Sequence, residues 1–113
     1  MMQMSDNNHK IYTLKEIAEV AIPFFSKYKG VRQVYIFGSY ADGTANGVSD
    51  IDFVLDTDDE QVDVFLDGYI LSDELCKDCW FNSFDTQKQF NEWARGKKGV
   101  MVYSNRQAEV YSS

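Results

Sequence analysis

The chain is 113 residues long, 44% hydrophobic and 15% aromatic, which fits one folded domain with its own core and excludes a disordered or fibrous polypeptide. No apolar run approaches the roughly 20 residues of a membrane span, and Met1 to Lys10 is too polar for a secretory leader, so no membrane association and a cytoplasmic location are expected. The net charge of −7 argues against a nucleic-acid partner, because such binding rests on lysine and arginine neutralising phosphate.

Residues 1–12 are expected to be a flexible lead. Thr13-Leu14-Lys15-Glu16 has the form of a capping box, with threonine as N-cap and glutamate three residues on. Leu14, Ile17, Ala18, Ala21, Phe25 and Tyr28 follow at helical spacing. Pro23 inside this helix predicts a kink or a restart, and Gly30 is its expected stop. Val31 to Phe37 reads as a buried strand. The run Tyr40 to Ser49, rich in Gly, Asn, Thr and Asp, reads as a solvent-facing loop. A second strand is expected from about Ile51 to Leu55, then an acidic turn from Asp56 to Glu60. Val62, Phe65, Leu66, Tyr69, Ile70 and Leu75 predict a helix over Gln61 to Leu75, weakened by Gly68 by about 1 kcal/mol. Cys79 to Phe84 is a third strand. Asp85 or Thr86 is the cap of a short helix reaching Arg95, with Gly96 as its stop. Val100 to Tyr103 is the last strand. The expected fold class is α+β: a small mixed β-sheet with helices packed on one face. The folded domain spans 13–104, and 105–113 is a tail.

The chemistry concentrates between Val34 and Leu55. Val34-Tyr35-Ile36-Phe37 ends abruptly at Gly38-Ser39, where glycine lets backbone approach a ligand and serine adds a hydroxyl. Ten residues later comes Asp50-Ile51-Asp52. Residues two apart on a strand share a face, so Asp50 and Asp52 project together. Ionised carboxylates side by side repel unless a cation lies between them, and paired hard oxygen ligands with room for phosphate suit Mg2+. Asp50 alone reads equally well as a strand-entry aspartate. Asp52 lies inside an apolar strand, where a carboxylate buried without a partner is costly.

The text VYIFGSYADGTANGVSDIDFVL, Val34 to Leu55, resembles a minimal nucleotidyltransferase domain of the DNA polymerase beta superfamily, whose pattern is Gly-Ser, ten residues, Asp-x-Asp. The resemblance implies the nucleotidyltransferase fold. It also implies Gly38 and Ser39 as nucleotide-binding residues, Asp50 and Asp52 as catalytic metal ligands, and Mg2+ with a nucleoside triphosphate, ATP first, as cofactor and substrate. The reaction implied is transfer of an NMP group to a protein or small-molecule hydroxyl. The chain departs from the pattern twice. The family arginine after Gly-Ser-x-Ala is Asp42 here, and the third family aspartate, on a later strand, aligns with Trp80. Asp78 takes that role only if the register slips by two residues, which preserves the face.

Small proteins of this kind are similar to antitoxins paired with HEPN-domain toxins. The resemblance therefore also implies a second reading, a catalytically degenerate binding module with a HEPN-type partner. Its interface would be the acidic segment Asp58 to Asp67 with Phe65 and Tyr69. A homodimer is the remaining partner expectation. The acidic surface suits a basic protein, and serves equally for solubility alone. Cys76-Lys77-Asp78-Cys79 has no second pair of zinc ligands, since the sole histidine is His9, and lacks a redox context. It reads as two reduced cysteines at a helix-to-strand junction. Trp80 and Trp93 read as core or interface residues.

Overall fold

A computed structural model of the chain describes residues 10–57, 62–84 and 86–105. The expectations for residues 1–9 with His9, for Asp58 to Gln61, for Asp85 as a cap and for the tail from residue 106 lie outside the described residues. The elements run α1 (Leu14–Phe25), β1 (Val31–Phe37), α2 (Ser39–Asp42), β2 (Ile51–Thr57), α3 (Val62–Leu66), α4 (Gly68–Leu75), β3 (Cys79–Phe84), α5 (Gln87–Ala94) and β4 (Val100–Ser104).

The strands form one mixed sheet in the order β3-β2-β1-β4. β1 pairs antiparallel with β2 and with β4, and β2 pairs parallel with β3. Alternation along β2 divides its side chains between two faces. Ile51, Phe53 and Leu55 join the main core with Ile17, Ala18, Ala21 and Phe25 of α1 and with Val34, Ile36 and Val102. Each such large apolar side chain contributes about 1.5–3 kcal/mol when fully withdrawn from water. Asp52 and Val54 alternate with those residues, and Val54 joins a second cluster with Phe37 and Phe90, flanked by Tyr35, Phe84 and Trp93. The small mixed sheet is thus as expected, and α5 adds a helix on the opposite face from α1. This second layer forms one wall of the cleft described below.

Local signals explain most element boundaries. Thr13 and Glu16 make the reciprocal capping box, with N–H to oxygen distances of 3.0 and 2.9 Å. Thr86 caps α5, its hydroxyl accepting from the Gln89 amide at 3.1 Å. The helix α1 runs through Pro23 without a restart and ends at Phe25, with Ser26 as its cap rather than at Gly30. Glu19 and Pro23 are solvent-exposed, so the carbonyl that the proline leaves without its helical donor belongs to an exposed turn of the helix. The helix expected over Gln61 to Leu75 is two helices broken at Asp67-Gly68. At the break the Tyr28 hydroxyl donates to Oδ2 of Asp67 at 2.6 Å, tying it to the end of α1. The supposed loop from Tyr40 begins as a single helical turn, Ser39–Asp42, because Tyr40 and Ala41 are buried. Composition alone hid that burial.

Candidate active site

The site begins where β1 ends. Gly38 adopts φ +83°, a conformation open to glycine and strained for other residues. It also abuts Asp52, whose partner across the ladder is Phe37. A Cβ built on Gly38 would lie 2.8 Å from Oδ2 of Asp52. The glycine is therefore required twice, by its backbone angle and by the carboxylate packed on its Cα. Ser39 opens α2 directly after it.

Asp52 is half-buried. Burial, and after it the charge of Asp50, push the Asp52 carboxyl above the usual carboxylate range. Asp50 is exposed, and its Oδ2 accepts a hydrogen bond from the Trp80 indole at 2.9 Å. Trp80 lies level with Asp52 in the parallel β2–β3 register. Asp78 precedes the strand. Its side chain is exposed, and its carbonyl accepts from the Ile51 amide at 3.0 Å. Among the described residues no three carboxylate, imidazole or thiol groups gather into a metal site. The two-carboxylate donor set still fits Mg2+, which is commonly held by one or two carboxylates together with substrate phosphates.

Beside the pair lies a cleft of about 640 Å3, lined by Gly38, Asp42, Asp52, Val54 and Asn82 on one side and by Trp93 and the turn Gly96-Lys97-Lys98 on the other. Asp42 is engaged locally. Its Oδ1 accepts from the hydroxyl and the amide of Thr44, at 2.6 and 3.0 Å. Those two bonds, then Lys98, hold its carboxyl below the usual range. The loop carrying Asp50 is fixed by buried Lys77, whose Nζ donates to the Gly47 carbonyl at 2.7 Å.

Of the residues singled out in the sequence, Gly38 and Asp52 come together in the cleft. Asp50 adjoins Asp52, and Ser39 follows the glycine. Lys97 and Lys98 escaped the sequence reading, and Trp93, read there as a core or interface residue, lines the cleft as well. The available signal was a pair of lysines bracketed by glycines in an acidic chain. Cys76 and Cys79 are free thiols. Cys76 takes a left-handed angle at the end of α4, and burial pushes the Cys79 thiol up to about 11, which disfavours the thiolate a redox centre needs.

The family described as "Polymerase beta, Nucleotidyltransferase" matches residues 19–107. No curated protein matches the chain. Similar solved structures include a toxin-antitoxin crystallised with AMP-PNP, whose matching chain is 19% identical with a TM-score of 0.63. The toxin-antitoxin MntA-HpeT, in a mutant with two aspartates changed to glutamate, is 17% identical with a TM-score of 0.62. In both, the match covers 80% of this chain and 75% of the other. A putative nucleotidyltransferase from Sulfolobus solfataricus is 24% identical, with a TM-score of 0.54 over 95% of this chain and 92% of that one. At these identities the structures speak to the fold.

Proposed function

The chain belongs to the polymerase beta nucleotidyltransferase family, and on that premise we propose that it binds a nucleoside triphosphate, ATP first, with Mg2+, and transfers the NMP group to a hydroxyl of a protein or small molecule. One observation carries this reading. Asp52, its carboxyl raised by burial and then by the neighbouring charge of Asp50, packs on a glycine turn at the edge of a cleft. A divalent cation relieves the repulsion between the two carboxylates, and the cleft leaves room for the phosphates it would bring.

In this reading Asp50 and Asp52 hold Mg2+, which when bound offsets charge developing on the α-phosphate and on the leaving pyrophosphate. Gly38 presents bare backbone to the phosphates, and Ser39 adds its amide and hydroxyl. The acceptor oxygen forms a bond to the α-phosphorus, the α–β anhydride bond breaks, and pyrophosphate departs. Trp80 is level with Asp52, where a third carboxylate would accept the acceptor's proton, so that proton leaves to water. The expected consequence is slow turnover.

The same tryptophan favours the second reading, a binding module acting as the antitoxin-type partner of a HEPN-domain protein. Its support is the surface of α3 and α4, where Phe65, Leu66 and Tyr69 are exposed large hydrophobics next to exposed Asp63. Two of the structurally similar proteins are themselves toxin-antitoxin structures. Calorimetric titration with nucleoside triphosphates, with and without Mg2+, separates the two. Metal-dependent binding that is lost in Asp52→Asn supports the transferase. Absence of binding in every arm overturns it and leaves the partner reading.

A further inference from the structure

The connection from α5 to β4 runs from Arg95 through Gly96-Lys97-Lys98-Gly99, and both glycines are structurally required. Gly96 adopts φ +79°. Gly99 lies so close to the Phe37 ring that a Cβ there would stand 2.4 Å from its Cζ. The Lys97 amide closes the turn on the Ala94 carbonyl at 2.8 Å. Phe37 is the residue before Gly38, so the turn is seated on the strand end that leads into the carboxylate cleft. Both lysines line that cleft with Gly38 and Asp52.

Lys97 already has an electrostatic partner on the cleft wall. Nζ of Lys97 lies over the Trp93 ring, 5.0 Å from its centroid, an attraction of the ring quadrupole for the cation. Lys98 is close enough to Asp42 to favour its charged form. In a chain of net charge −7, two adjacent cations thus face the cleft from a turn seated on Phe37.

We propose that Lys97 and Lys98 bind the β- and γ-phosphates of the nucleoside triphosphate, across a cleft whose lining also carries the carboxylate of Asp42. This rests on the nucleotide-binding reading of the cleft and names the residues that select a triphosphate over a monophosphate. Lysine serves here as a compact point charge, which suits a phosphate group that no planar bidentate donor has to orient. Binding is then salt-dependent, because the lysines are exposed.

The test is calorimetric titration of the full chain with AMP-PNP, inorganic tripolyphosphate and AMP in the presence of Mg2+. The proteins compared are wild type, Lys97→Ala/Lys98→Ala, Asp42→Asn and Asp52→Asn. The double lysine variant is expected to lose roughly tenfold or more in affinity for AMP-PNP and for tripolyphosphate, and less than about twofold for AMP. Asp42→Asn is expected to bind AMP-PNP a few-fold more tightly. Unchanged AMP-PNP affinity in the double variant, or an equal loss for AMP, overturns the lysine assignment while the cleft reading stands. Failure of wild type to bind AMP-PNP overturns the cleft reading itself and this assignment with it. An unaltered denaturation midpoint of the double variant excludes a fold defect as the cause of any loss.

Discussion

Gly38 and Asp52 form one steric unit: the space where a Cβ would stand on the glycine is taken by Oδ2 of the carboxylate, 2.8 Å away. Gly38→Ala must hold a left-handed angle, at about 1–2 kcal/mol, and must also push the carboxylate aside. The expected outcome is a modest fall in stability with a fall in Mg2+-dependent nucleotide affinity of more than about tenfold. Urea denaturation and calorimetry on the same sample check both. Intact affinity would show that the carboxylate's position against the glycine is immaterial to binding.

Asp52 carries a pH signature. Its folded-state carboxyl is raised by burial and then by Asp50, so the protonated form is favoured in the fold. The stability it contributes is full below the unfolded carboxylate range and is lost as pH rises through the raised value. Without metal, Asp52→Asn is therefore expected to be more stable than wild type at neutral pH. That advantage should vanish as pH falls below about 4. Thermal midpoints across this range check the sign, and a less stable variant at neutral pH contradicts it.

Trp80 both occupies the position level with Asp52 and donates to Asp50 at 2.9 Å. Trp80→Asp places a third carboxylate there and frees the Asp50 oxygen. It is expected to bind Mn2+ or Mg2+ without nucleotide, which wild type does weakly at best, and to raise the transfer rate if an acceptor is supplied. Trp80→Phe, which removes only the indole donor, should do neither. Metal titration of the two variants tells the effects apart.

Tyr28 tests the strut between α1 and the α3–α4 break. Burial, then the hydrogen bond to Asp67, push its phenol up to about 12. Tyr28→Phe is expected to cost about 1 kcal/mol, discounted for partial exposure. The wild-type advantage should hold below pH 10 and shrink as pH rises toward 12, because a raised folded-state value favours the protonated phenol. Urea midpoints of the two proteins at pH 8 and pH 11 measure that difference.

What the sequence displays is what acts over short range. The Thr13 capping box, the Thr86 cap and the limits of Cys79–Phe84 depend on neighbours within a few residues. The Gly38-Ser39 and Asp50-Ile51-Asp52 spacing was readable for the same reason, since one hairpin carries both. Lys97 and Lys98 were not, because a close approach of Gly99 to Phe37, far apart in the chain, brings them to the cleft. The turn Ser39–Asp42 was hidden by loop-like composition that tertiary burial of Tyr40 and Ala41 overrides. The break at Asp67 is tied to Tyr28, in the turn after α1. The position of α5 on the second face depends on Phe37 and Val54, which periodicity could mark as apolar but not partner with Phe90.

The parallel pairing of β3 with β2 has a kinetic side. Antiparallel β1 and β2 are joined by the turn and loop of residues 38–50, whereas β3 reaches β2 only after the crossover of residues 58–78. Closing the longer connection costs more chain entropy before any contact repays it. The hairpin bearing Gly38, Asp50 and Asp52 is then the earlier unit to assemble, and Trp80 docks on it as the sheet is completed. Under this order, weakening the β2–β3 contact at Phe81 accelerates unfolding far more than it slows folding.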